Sequence, residues 1–293
     1  MDEKMFDQEG GDIMKKVTKT WLIIAASLVL VGGILFVGVM SMLKWDFKKL
    51  STVQYETSEY ELEEEYSKIS IITNTADITL VPSEKTKSFV VCYEESKEKH
   101  VVKVEDDILK IEVSNKKKWY DYIGIQYGTA KITVEIPKKQ YEQLSIKEST
   151  GDILIENVTV NAMDLTVSTG EVKVKSVACK GDVNVRVTTG KTKMTDVNCK
   201  NLYSDGNTGD IILKNVVAAN SFKIERSTGD LKMESCDATT LSIKTNTGNV
   251  TGSLLTGKSF VTQTSTGTIQ VPETTGGKCK ISTSTGDIKI TIQ

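Results

Sequence analysis

A chain of 293 residues with 37 basic and 39 acidic side chains carries a net charge of -2, so it offers neither a basic field for nucleic acid nor an acidic one for a basic partner. One histidine and five cysteines without a C-x-x-C pair leave little material for a metal centre or for a nucleophile with its base. The numbers argue against a nucleic-acid binder and against an enzyme, while the length suits a single elongated repeat array.

Residues 1–20 are polar and of mixed charge, which predicts a disordered tail on the cytoplasmic side. From Trp21 to Leu43 no residue is charged, and at about 1.5 Å per residue this run exceeds the roughly 30 Å hydrocarbon core of a bilayer. Trp21 and Trp45 bracket it at the two interfaces. A cleavable signal peptide is the rival, but its apolar region is only about 7 to 15 residues long and ends at a small-residue site that VMSMLKW lacks. A retained transmembrane helix over 21–43 follows. Lys15, Lys16 and Lys19 on one side nearly balance Lys44, Lys48 and Lys49 on the other, and a short lysine-bearing N-terminal tail stays inside. The C-terminal part is therefore expected outside the membrane.

Residues 44–60 read as a polar stalk, and 61–145 as an irregular β-rich part that caps the array that follows. Within it Asn74-Thr75-Ala76-Asp77-Ile78 resembles a decayed copy of the later repeat, with Ala76 in the place of a glycine. An insertion at 116–127 concentrates aromatics and lysines. Lys117, Lys118, Trp119, Tyr120, Tyr122 and Tyr127 form either a binding loop, with rings for sugars or lipid headgroups and lysines for anionic polymer, or an apolar plug over the open core.

From 146 to 293 the phrase Ser149-Thr150-Gly151-Asp152-Ile153 recurs. The pairs Thr150-Gly151, Thr169-Gly170, Thr189-Gly190, Thr208-Gly209, Thr228-Gly229, Thr247-Gly248, Thr266-Gly267 and Thr285-Gly286 stand 19 or 20 residues apart. Seven residues before each glycine the chain is apolar, from Leu144 and Met163 to Phe260 and Cys279. Two and four residues after it the chain is again apolar, broken only at Thr192 and Gly252. Period two on both sides of a fixed turn gives two short strands per coil facing one core, hence an all-β single-stranded solenoid, or β-helix, of 19–20-residue coils. The glycines are corners where a Cβ would obstruct the chain, and the threonines predict a hydroxyl ladder along them.

Alternatives to a structural repeat are weak. Calcium would need carboxylates converging on one point, and the position after glycine includes Lys191 and Thr268. Asp210 and Asp230 could serve a glycan-cleaving pair, yet they repeat a corner motif found in every coil. No cofactor or metal is expected. Cys179 and Cys199 occupy equivalent places on adjacent coils about 4.8 Å apart, so a disulfide is geometrically open to them, with stacked buried thiols the plainer reading. His100 has no recognisable partner motif and reads as an exposed residue beside a strand. The segment 288–292 ends the sequence as an uncapped strand, which predicts self-association or strand addition at a C-terminal edge.

The segment MKKVTKTWLIIAASLVLVGG, the KWYDYIGI stretch and the STGDI-like turns together resemble the LiaG-like putative adhesin family of bacterial envelope proteins, over residues 15–293. The resemblance implies a membrane-anchored β-helical ectodomain tied to envelope stress, with no catalytic residues. The expected function is non-catalytic: adhesion, partner binding or scaffolding, with cell-wall glycan or an envelope protein as partner. The alternatives are a polysaccharide-acting β-helix enzyme and a polymerising scaffold facing the cytoplasm.

Overall fold

The computed structural model describes residues 3–51, 53–115, 118–119 and 128–293, which form two units. The first is a helix, α1 (Glu3–Met42), followed by a short 3-10 turn at Phe47–Leu50. Its stretch Val17–Met42 is 26 residues long, exposed apart from Met40, and apolar enough to cross a membrane. Lys44 and Trp45 both take left-handed backbone angles (φ 55° and 58°), and the Trp45 N–H closes back on the Met40 carbonyl at 2.8 Å, which stops the helix. The polar tail predicted to be disordered is instead the beginning of this helix: α1 starts at Glu3.

The second unit is a parallel β-solenoid. Its N-terminal strands are β1 (Tyr55–Leu62), β2 (Lys68–Thr75), β3 (Asp77–Ser83), β4 (Ser88–Glu95), β5 (Glu98–Glu105), β6 (Ile108–Asn115) and β7 (Lys131–Pro137). The regular coils follow in β8 (Gln140–Thr150), β9 (Ile153–Glu156), β10 (Thr159–Thr169), β11 (Val172–Cys179) and β12 (Asp182–Thr189). They continue in β13 (Thr192–Thr208), β14 (Ile211–Thr228) and β15 (Leu231–Thr247). The chain ends with β16 (Val250–Leu254), β17 (Lys258–Thr266), β18 (Ile269–Gln270), β19 (Gly277–Thr285) and β20 (Ile288–Ile292).

Between β8 and β15 the coils stack in chain order with like residues in register, Met163 beside Val183 and Thr208 beside Thr228. The inward column Leu144, Met163, Val183, Leu202, Phe222 and Leu241 is at most 2% exposed. Each such side chain contributes roughly 1.5–3 kcal/mol by leaving water, so a coil is stable only against its neighbours.

The apolar pattern predicts two strands per coil, but the coils have a third straight segment. Six residues after the corner glycine, Asn157, Ser176, Asp196, Asn215 and Ser235 adopt φ of 50° to 57° and bend the chain again. Short polar side chains tolerate that angle best. Beyond this second bend Val158 and Val160, Val177 and Cys179, Val197 and Cys199, Val216 and Ala218, and Cys236 and Ala238 point inward. The third corner absorbs the difference between 19 and 20 residues, as the register slip between Ala218 and Ser221 shows.

Both ends depart from chain order. The Ala76 corner stacks directly beneath the Gly151 corner, with Thr75 opposite Thr150 and Ile78 opposite Ile153. Outside it lie β6 on β2 and β7 on β3, also parallel, although they come later in the chain. This end is then closed by antiparallel strands, β5 on β6, β4 on β7 and β1 on β4. At the other end β19 pairs with β15 and β20 with β16, while β17 and β18 lie outside them. Of the last strand, Ile288 and Lys289 are thus flanked on both sides, and Ile290–Ile292 on the β16 side. The edge expected at 288–292 is thereby covered at Ile288 and Lys289 only, and the outermost strands of this end are formed by 258–270, because the chain steps out by one coil and returns to fill the gap.

Candidate functional site

At the corners the backbone is left-handed at every repeat glycine, for example φ 140° at Gly190 and 127° at Gly209. A Cβ on Gly209 would fall onto the carbonyl oxygen of Gly190. Apart from Gly267 on the outermost coil, each of these glycine N–H groups donates to the threonine carbonyl of the adjoining coil, Gly151 to Thr169 at 3.0 Å and Gly209 to Thr228 at 2.9 Å. Thr150, Thr169, Thr189, Thr208, Thr228, Thr247, Thr266 and Thr285 line up as an exposed column. Among the described residues their hydroxyls make no hydrogen bonds, so the predicted hydroxyl ladder is a ladder of backbone carbonyls.

The ladder of side chains lies one residue further on. The carboxylate of Asp152 accepts from the N–H of Glu171 at 2.7 Å, Asp230 from Asn249 at 2.7 Å, and Asp210 from Asp230 at 3.2 Å. Asn249 accepts from Asp287 at 2.8 Å, and Asp287 from Thr268 at 2.7 Å. The N–H and hydroxyl of Thr268 hold the Asp287 carboxyl below the usual carboxylate range. Asp210 and Asp230 are therefore engaged in joining coils, which accounts for the aspartate of the repeat without calcium or catalysis. Of the two departures in the series, Lys191 interrupts the ladder between Glu171 and Asp210, and Thr268 sits on the outermost coil, where no further N–H has to be accepted.

Of the insertion, Lys118 and Trp119 are described; Lys117, Tyr120, Tyr122 and Tyr127 lie outside the described residues. Trp119 is 77% exposed, so its indole does not plug the core. The antiparallel strands close that end.

Three polar groups that the sequence pattern does not flag are buried. His100 is not exposed: on β5 it is 3% exposed, facing Cys92 and Glu94 of β4, each 0% exposed. Its Nδ1 lies 2.8 Å from Glu94 Oε2 and its Nε2 2.8 Å from Thr73 Oγ1, and Ser58 Oγ donates to Glu94 Oε1 at 2.8 Å. Burial, and then the Glu94 charge, push the Cys92 thiol up to about 12. Alternation puts Cys92 and Glu94 on one face of β4, but the β4–β5 turn pairs only Glu95 with Glu98, a register that alternation alone would extend to His100 opposite Tyr93, so the approach of His100 to that face is not legible from the pattern. Arg226, three residues before its corner, extends into the slot left by Gly206 and donates to the Val187 carbonyl at 2.8 Å and to Thr192 Oγ1 at 3.4 Å. That accounts for the polar Thr192 in an apolar column. Asp237 and Lys258 form a buried pair at 2.6 Å, with Thr256 donating to Asp237 Oδ2 at 2.7 Å.

All five cysteines are free and buried. Cys179 and Cys199 are the stacked thiols of the plainer reading, and burial pushes the Cys199 thiol up to about 12.

A parallel β-solenoid with out-of-order ends, in a chain that also holds one membrane-competent helix, defines a class by its architecture. The chain belongs to the Toastrack DUF4097 family, whose model matches twice, over residues 66–181 and 180–293. The LiaG-like resemblance thereby resolves to this broader family. The crystal structure of a putative adhesin from Bacteroides fragilis shares the fold at a TM-score of 0.51 and 19% identity, over 81% of this chain and 97% of that one. A putative adhesin from Parabacteroides distasonis is similar at 11% identity and TM-score 0.41, over 82% of this chain and 98% of the other. A putative lipid binding protein from the same organism is similar at 17% identity and TM-score 0.33, over 82% and 98%. No curated protein matches the sequence.

Proposed function

We propose that this chain is a non-catalytic cell-envelope protein, held by α1 as a retained single-pass anchor, that presents its solenoid outside the membrane for adhesion or for binding an envelope partner. The observation that carries the reading is the largely exposed apolar stretch Val17–Met42 placed ahead of a solenoid whose repeated acidic residues are spent on joining coils. Adhesion fits the description of the Bacteroides fragilis protein that shares the fold. Lys118 and the exposed Trp119 are the residues proposed to meet cell-wall glycan, anionic polymer or lipid headgroups. The enzyme alternative loses support because Asp210 and Asp230 accept backbone or ladder hydrogen bonds or stand beside them, and the lone histidine has no exposure to substrate.

Protease treatment of intact cells tests the topology. Digestion of the solenoid from outside supports the reading, and digestion only after lysis assigns it to the cytoplasm. The full-length chain in detergent is then incubated with purified wall glycan, teichoic acid and anionic vesicles. Trp119→Ala is expected to weaken capture by one of them about tenfold while leaving thermal stability unchanged. Equal capture by both proteins would remove the loop from the proposal.

A further inference from the structure

The hairpin β4–β5 brings a thiol, a carboxylate and an imidazole together in the closed end of the solenoid. Their ligand atoms, the Cys92 sulphur, a Glu94 oxygen and a His100 ring nitrogen, all lie within 4.8 Å of one another. All three residues are buried. We infer that Cys92, Glu94 and His100 form a binding site for a thiophilic divalent cation of the zinc type, buried in the N-terminal end of the solenoid.

Four observations carry the inference. The donor set mixes sulphur, nitrogen and oxygen, the set that zinc favours and that calcium and magnesium do not. The charges balance, since one thiolate, one carboxylate and a neutral imidazole neutralise a divalent ion, so the loaded site can be buried without a net charge. The supporting shell is already in place: Thr73 Oγ1 stands 2.8 Å from His100 Nε2, and Ser58 donates to Glu94 Oε1. These bonds leave Nδ1 and Oε2 facing each other, with Oε2 also accepting the His100 backbone N–H at 2.5 Å, and an outer partner on each ligand is what orients metal-binding side chains. Finally, among the described residues the Cys92 thiol has no hydrogen-bonding partner, although its neighbours have several.

Binding would deprotonate the thiol and release one proton, and the 2.8 Å contact between Nδ1 and Oε2 would open to admit the ion. Three protein donors leave one place of a tetrahedral shell for water. A nucleophilic role for the same three residues is excluded by their burial, which denies a substrate access to the sulphur.

The test loads the site during folding, so that burial cannot block entry. The full-length chain is unfolded in detergent and denaturant, then refolded with Co²⁺ or with a chelator. A thiolate-to-cobalt charge-transfer band that zinc abolishes is expected. Excess zinc is expected to raise Tm above that of the chelator-treated protein by about 5 °C or more. Cys92→Ala, with Cys179, Cys199, Cys236 and Cys279 intact, should lose both signals; if it does not refold, His100→Gln and Glu94→Gln take its place, with a weakened band expected. Absence of the band in refolded wild type, or an undiminished band in the folded variant, overturns the site.

Discussion

Glu148 stands where the corner changes character. Elsewhere the corner glycine N–H donates to a threonine carbonyl, but at Ala76 the acceptor is the Glu148 carboxylate, at 3.4 Å, which also takes the Thr150 N–H at 3.1 Å. The side chain is 1% exposed, its Oε2 has no partner, and burial, partly offset by the backbone donors, raises its pKa to about 7. A carboxyl whose folded pKa lies above the unfolded value stabilises fully below the unfolded pKa of about 4.5, and that contribution is lost as pH rises through 7. Glu148→Gln keeps an oxygen for both N–H groups and carries no charge. Urea unfolding of both proteins is expected to show the variant gaining on wild type by about 2 kcal/mol between pH 5 and 8, allowing for some solvent screening. A difference that does not change with pH would refute the assignment. The glycines, threonines and inward apolar columns were legible from spacing alone. Glu148, Arg226 and His100 were not, because a charged residue in a short strand reads as outward until its partner is known, and their partners Ala76, Val187 and Glu94 lie on other strands.

At the scale of the coil, spacing could reveal the unit but not its place. All eight corners carry the same Thr-Gly pair, so any coil fits on any other, and nothing in the period says that the coil of Gly267 lies outside that of Gly286. Only the terminal coil's own departures mark it. Thr268 breaks the acidic ladder, and Ile269, in a column otherwise at most 4% exposed, is 44% exposed. The third segment escaped notice for a related reason: its bend is set by Asn, Asp or Ser instead of glycine, and its inward residues are small. The pairing of β20 with both β16 and β18 predicts hydrogen-exchange behaviour at odds with sequence position. Amides of Ile288 and Lys289 should exchange more slowly than those of Ile269–Gln270 by about tenfold or more, read by mass spectrometry on peptic fragments. Faster exchange at the C-terminus would put the coils back in chain order.

For the whole solenoid the two ends are chemically unlike. The closed end is edged by β1, whose Glu56 and Glu61 pair with Lys99 and Lys87, and charge on an edge strand discourages pairing with another chain. The other end is edged by β17, where Lys258 is buried and Val261 is 65% exposed with no charge nearby on the strand. We propose that association of a second copy occurs at β17, the position that replaces the C-terminal strand. With one such uncharged edge among the described residues, the product expected is a closed two-fold dimer and not a filament. Light scattering on the detergent-solubilised chain is expected to show dimer that Val261→Lys converts to monomer. Larger polymers, or a dimer indifferent to Val261, would sink the proposal.

Under the anchoring by α1 proposed above, the interleaving of the ends has a mechanical meaning. A load arriving through the linker after α1 reaches β1 first and then β2–β3, which is held between the coil of β6 and β7 on one side and that of β8 and β9 on the other. An edge strand can be peeled one bond at a time, but a clamped coil must break two ladders together. Tension on the anchor therefore meets its greatest resistance within the first coil, before it reaches the regular repeats.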